Sequence, residues 1–135
     1  MEELDLILGG SGTVDVKSLS PLVLAYVGDA VYEIMARLYT LSSGNQPVNK
    51  LNRKTRAVVN AKAQAEMYFR IRPLLTEEED AVFHRGRNAN SHTSAKNADI
   101  IDYRHATGLE AVFGYLYLSG QRERAVELFR AGWQV

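Results

Sequence analysis

The sequence predicts an all-α protein. Three observations carry that expectation. Apolar residues recur at three- and four-residue spacing through most of the 135 residues, the period of helices that bury one face. Helix-start chemistry stands at the head of two such stretches, as Ser20-Pro21 and as Thr76 followed three residues later by Glu79. No alternation of apolar and polar residues runs beyond a few positions, so no strand is expected.

Residues 1–19 read as an N-terminal arm, made flexible by "GGSG" at Gly9–Gly12, and residues 20–135 as one domain. The first helix starts with Ser20 as its cap and Pro21 at its first position, where the missing N–H is not needed. Leu24, Val27, Val31, Ile34, Leu38 and Leu41 supply its core-facing stripe, and "SSGNQP" closes it. One long second helix is expected from about Lys50 to Ile71, with Leu51, Val58, Val59, Ala63, Met67 and Ile71 inward, stopped by Pro73. "TEEEDAVFHRGRNAN" reads as a third, opened by a Thr76/Glu79 capping box and an acidic first turn that suits the helix dipole. "RGRNANSHTSAKN" is polar and reads as a loop or frayed end. A further long helix runs from about Asp99 to Ser119, with Thr107-Gly108 as a candidate break and Gly120 as its end. "QRERAVELFRAGW" makes a short last helix.

The length suits one core. There is no cysteine, which excludes disulfides, thiolate metal sites and a cysteine nucleophile. The apolar stretches are interrupted before the roughly 18 residues a membrane span needs. The start, "MEELDLILGG", is acidic where a secretory leader is basic, so a cytoplasmic protein is expected. Formal net charge is zero, but between Lys50 and Arg72 seven basic residues face one acid, Glu66. A neutral total thus conceals a basic stretch suited to nucleic acid.

Two carboxylates do not fit their surroundings. In "YVGDAVYE", the helical neighbours of Asp29 are Ala25, Tyr26, Tyr32 and Glu33, with no cation among them. In "HATGLEAVFGYLYL", Glu110 has Ala106, Thr107, Phe113 and Gly114. Gly28 lies beside the first, Gly108 and Gly114 flank the second, and glycine inside a helix signals a close approach to the backbone. A divalent cation held between Asp29 and Glu110 would resolve both unpaired charges. Mg²⁺ suits such a site, because it takes oxygen ligands and is often held by one or two carboxylates plus substrate phosphate. Pairing with Arg37, Arg56 or Arg104 from another helix, or simple exposure, remains open, as does close helix packing without chemistry for the glycines.

At these residues the sequence resembles the ribonuclease III family. The family signature "LEFLGDSVL" is matched in register by "LAYVGDAVY" (Leu24–Tyr32), and its second acidic motif "DxFEAxIGAxY" by "TGLEAVFGYLY" (Thr107–Tyr117). Between them "RAVVN" (Arg56–Asn60) is similar to a family "RxxLVN" segment. The resemblance spans about Ser20 to Gly120 and is closest to a short branch without a double-stranded-RNA-binding domain. Two family acids are replaced, by Ala25 and by Thr107, which leaves Asp29 and Glu110.

The resemblance implies the ribonuclease III endonuclease-domain fold, a helical bundle, over residues 20–135. It implies a metal-dependent homodimeric endonuclease of double-stranded RNA, with Asp29 and Glu110 as catalytic residues and ligands of Mg²⁺, for which Mn²⁺ would substitute. Glu33 is a candidate for contact with metal-bound water, and alternatively the i+4 partner of Arg37. Candidate RNA contacts are Lys50, Arg53, Lys54, Arg56, Arg85, Arg87, Asn88 and Lys96, the alternative being a solvated face. The implied substrate is precursor ribosomal RNA of the large subunit, with a ribosomal protein as a further partner and no membrane. His84, His92 and His105 lack metal-ligand spacing and are expected in surface or loop roles. Tyr26, Tyr32, Tyr115 and Tyr117 are expected in packing or dimer contacts. Loss of two acids keeps a second reading open, a catalytically degenerate RNA-binding or dimerisation module. A protein-interaction domain without nucleic acid is a third, disfavoured by the basic stretch.

Overall fold

The computed structural model describes residues 15–89 and 97–133. Among them are six α-helices: α1 (Pro21–Leu41), α2 (Val48–Val59), α3 (Ala61–Ile71), α4 (Glu77–Asn88), α5 (Asn97–Leu118) and α6 (Arg122–Gly132). No described residue is in a strand. Helix α5 is central: α1, α3, α4 and α6 all pack on it, while α2 lies against α1 and α3. Its Leu109, Val112, Phe113 and Leu116 are fully buried and meet Leu24 and Tyr32 of α1, Met67 and Ile71 of α3, Val82 and Phe83 of α4 and Leu128 of α6 in one core.

The expected helix starts hold. Ser20 Oγ accepts from the amide of Val23 at 3.3 Å, with Pro21 at the first position. Thr76 Oγ1 accepts from Glu79 N at 3.1 Å while Thr76 N donates to Glu79 Oε1 at 2.9 Å, the reciprocal capping box. At the other end of α5, Gly120 takes φ +78°, a left-handed turn that only glycine adopts without strain, and the chain reverses into α6. Residues 1–14, including "GGSG", lie outside the described set. The end of the expected arm is seated on the bundle: Val16–Ser18 form a 3-10 turn capped by Asp15, and Val16 and Leu19 pack on the core.

Three expectations need correction. The single helix from Lys50 to Ile71 is two. Asn60 takes ψ 159°, an extended conformation, and joins the pieces through one side chain. Its Oδ1 accepts from Ala63 N at 2.9 Å, capping α3, while Nδ2 donates to the Arg56 carbonyl at the end of α2 at 2.9 Å. Helix α5 is continuous through Thr107-Gly108, where Gly108 fits against the Phe83 ring instead of breaking the helix. The inward stripe of α1 is also different. Ile34, Leu38 and Leu41 are exposed, and Val27 is only partly covered. The buried face comprises Leu24, Ala25, Gly28, Val31, Tyr32, Ala36 and Thr40. Small residues dominate that face because α5 approaches there at backbone range.

Candidate active site

The approach of α1 to α5 builds the site. A β-carbon placed on Gly28 would lie 1.6 Å from the carbonyl oxygen of Glu110, and one on Gly114 would lie 1.9 Å from the carbonyl oxygen of Leu24. The two backbones therefore touch, with no room for a side chain on either. Asp29 follows Gly28, and Glu110 stands one turn before Gly114. The crossing sets these two carboxyl groups beside each other, close enough for the Asp29 charge to act on Glu110. Close helix packing and gathered carboxylates are thus one feature.

Asp29 is exposed and Glu110 half-buried. Burial, and then the Asp29 carboxylate beside it, push the Glu110 carboxyl up to about 8 from its ordinary 4.5. Among the described residues no lysine, arginine or histidine pairs with either carboxylate. Arg37, one of the candidate partners, pairs instead with Glu33 at 2.7 Å. That ion pair is the i+4 alternative for Glu33, which nonetheless shares an open hollow of about 700 Å³ with Tyr26, Asp29, Ile34 and Tyr117. Ala25 and Thr107, at the positions of the two replaced family acids, are buried, and Thr107 Oγ1 is satisfied by the Tyr103 carbonyl at 3.0 Å.

One residue at the site escaped the sequence reading. Gln64 of α3 is 3 % exposed, and its Nε2 donates to Glu110 Oε2 at 3.3 Å. The restart of the chain at Asn60 aims it there. A buried amide in an apolar helix face was the available signal, hidden by the assumption of one unbroken helix.

The donor set fits a hard divalent cation. Two adjacent oxygen ligands, crowded and uncompensated, are what Mg²⁺ or Mn²⁺ takes, the rest of its shell being water and substrate phosphate. Among the described residues no group of three or more His, Cys, Asp or Glu is placed to hold a metal ion.

The candidate RNA contacts fall in separate places. Lys50, Arg53 and Arg56 are exposed on α2. Lys54 is tied back to Gln46 Oε1 at 2.9 Å and Ser43 Oγ at 3.2 Å. Near the end of α4, Arg85 lines a small hollow with Lys17, Glu78 and Tyr115, whereas Arg87 lies on the side of Tyr68 and donates to Asn88 Oδ1 at 3.2 Å. Two residues apart on a helix, they diverge. Lys96 and His92 lie outside the described residues. His84 pairs with Asp80 on the surface, and His105 bonds the Ile101 carbonyl with its ring against Phe69 and Tyr68. No described helix is long and apolar enough to cross a membrane.

A strand-free bundle whose two crossing helices each deliver one acidic-motif carboxylate to a shared point defines the class. A family model described as the Ribonuclease III domain matches residues 22–121. The chain belongs to the ribonuclease III family and is an endoribonuclease. Within the family it is similar to the Mini-ribonuclease 3 proteins. That of Clostridium tetani is 54% identical over 117 residues, covering 86% of this chain and 78% of the relative. That of Brevibacillus brevis is 48% identical over 123 residues, covering 91% and 92%. The crystal structure of a Fusobacterium nucleatum protein superposes with a TM-score of 0.75 at 32% identity, covering 87% of this chain and 94% of that one.

Proposed function

We propose that the chain is a divalent-metal-dependent endonuclease of double-stranded RNA that acts as a homodimer, with Asp29 and Glu110 as its catalytic carboxylates. The observation that carries this reading is the Asp29–Glu110 pair, brought together at a glycine crossing and left without a basic partner among the described residues. Bound Mg²⁺ would supply Lewis-acid activation of water and neutralise phosphate charge. Asp29, exposed at the edge of the hollow, faces the incoming phosphodiester. Glu110 would be ionised when it holds a cation, and Gln64 Nε2 donates a hydrogen bond to its Oε2 that favours the charged form.

Exposed Lys50, Arg53 and Arg56 on α2 would contact phosphates of an A-form duplex, which is read mainly by shape. Arg85, Arg87, Asn88 and Lys96 would extend those contacts. The exposed apolar residues Leu22, Tyr26, Ile34 and Leu38 of α1 would be covered by the partner protomer. The substrate proposed is the large-subunit (23S) ribosomal RNA precursor, cut in the cytoplasm, with a ribosomal protein as accessory. A degenerate binding module has no use for two uncompensated carboxylates, which disfavours that alternative.

The test is cleavage of a structured large-subunit precursor RNA by purified protein with and without Mg²⁺. Mg²⁺-dependent double-strand cuts with 5′-phosphate ends are expected. Binding without cleavage under broad metal and salt conditions would favour the non-catalytic module.

A further inference from the structure

Gln64 lies one turn into α3, a helix whose other buried positions are Ala65, Met67, Tyr68 and Ile71. On that face a leucine would fill the space with no polar group to desolvate. The buried amide instead spends a donor on Glu110 Oε2, 3.3 Å away. The choice of donor matters chemically. A lysine or arginine there would neutralise Glu110 and compete with a cation for it. An amide restrains the carboxylate while leaving its charge intact. The bond also occupies Oε2 and leaves Oε1 free of Gln64, so it distinguishes the two oxygens of a group with free rotation about its last bonds. The geometry is enforced from behind: Asn60 caps α3 through Ala63, the residue before Gln64, and Gln64 N donates to the Asn60 carbonyl at 3.0 Å.

We propose that Gln64 is a positioning residue for the cation, fixing the orientation of Glu110 so that it and Asp29 present oxygens to one ion. The inference rests on the reading of Asp29 and Glu110 as the metal ligands. Gln64 acts through Glu110 and touches neither the ion nor the RNA. It takes up by orientation part of what the acids replaced by Ala25 and Thr107 would give by direct ligation.

The experiment measures Mn²⁺ binding to the full chain without RNA, by paramagnetic resonance of free Mn²⁺, for wild type, Gln64→Leu, Gln64→Met and Asp29→Asn. Loss of the donor is expected to weaken Mn²⁺ about tenfold or more, the scale of outer-sphere hydrogen bonds to metal ligands. The Mg²⁺ concentration for half-maximal cleavage should rise by the same factor, with kcat at saturating Mg²⁺ within about threefold of wild type. A Gln64 that merely filled space would leave both metal constants unchanged. Wild-type Mn²⁺ affinity in a folded Gln64→Leu or Gln64→Met protein overturns the proposal, and two variants guard against one failing to fold. The Asp29→Asn arm separates the two ideas. Abolished binding there with unchanged binding in the Gln64 variants refutes the role of Gln64 alone. Unchanged binding in Asp29→Asn refutes the metal site and this inference with it.

Discussion

Gly28 of α1 and Gly114 of α5 meet backbone to backbone, each lying where a β-carbon would strike the other helix. This contact sets the separation of Asp29 and Glu110. Gly28→Ala must force the helices apart, because the obstructing atom is the Glu110 carbonyl oxygen at 1.6 Å and not a flexible side chain. A destabilisation of about 3 kcal/mol, at the upper end for overpacking, is expected from urea unfolding. Cleavage should fall further than the folded fraction does, since the carboxylates separate. A wild-type unfolding midpoint would contradict the crossing.

Asp29→Asn and Glu110→Gln should each abolish Mg²⁺-dependent cleavage while leaving RNA binding nearly intact. They should differ in stability. Near neutral pH the metal-free protein must take up a proton at Glu110 to fold, so Glu110→Gln, which needs none, should raise its melting temperature, whereas exposed Asp29 gives a smaller change. Calorimetry in chelator checks the difference. Cleavage by either variant at the wild-type rate would exclude the site.

The same carboxyl gives the metal-free protein an unusual pH dependence. Glu110 holds its proton up to about 8 when folded and releases it near 4.5 when unfolded. Between those values the folded state binds more protons, so stability falls as pH rises through the window and levels above 8. Mg²⁺ held by the ionised pair, as proposed, would displace the proton and flatten the slope. Melting temperatures from pH 5 to 9, in chelator and in Mg²⁺, test this. Glu110→Gln should lose the slope in chelator.

Both carboxylates and both glycines of the crossing were legible because each breaks a local pattern: a charge without a partner, or a helix interior without a side chain. The capping box was legible because its partners are three residues apart. The break at Asn60 was not, since the segments on either side keep helical spacing and one asparagine performs both caps. Gln64 was hidden with it, because its partner is 46 residues away and on a helix reached only after the chain turns. The face of α1 was misread for a physical reason. The helix carries two apolar faces, and the one with smaller residues wins burial because it permits closer approach.

The losing face leads to a prediction about assembly. Ile34 is 58 % exposed and forms part of an apolar strip with Leu22, Tyr26 and Leu38. Ile34→Arg should leave the monomer fold unchanged, since it alters no core contact, but should place a charge in the proposed protomer interface. Sedimentation is expected to show a dimer for wild type and a monomer for Ile34→Arg, and double-strand cutting should be lost. A dimeric Ile34→Arg protein would place the interface elsewhere.

The last helix is anchored by a buried charge. Glu79 has a side chain 4% exposed, and Arg124 of α6 grips it with Nε to Oε2 at 2.8 Å and Nη2 to Oε1 at 2.9 Å. The same Nη2 reaches the Leu74 carbonyl at 2.7 Å, so one guanidinium ties α6 to the start of α4. Burial pushes the Glu79 carboxyl up, but Arg124 and the Thr76 backbone outweigh it and hold the carboxyl below its usual value. Arg124→Leu should destabilise by about 3 kcal/mol, because it strands a buried carboxylate. Glu79→Gln should be milder, about 1–2 kcal/mol, since the amide oxygen still accepts from Thr76 and from Arg124. Their pH profiles distinguish charge from packing. A carboxyl lowered in the folded state stabilises above its unfolded value, and that stability is lost as pH falls through the folded value. Wild type should therefore weaken in acid through this pair, while Arg124→Leu should lose most of that acid sensitivity. Equal acid unfolding in both proteins would show that the pair contributes no net electrostatic stability.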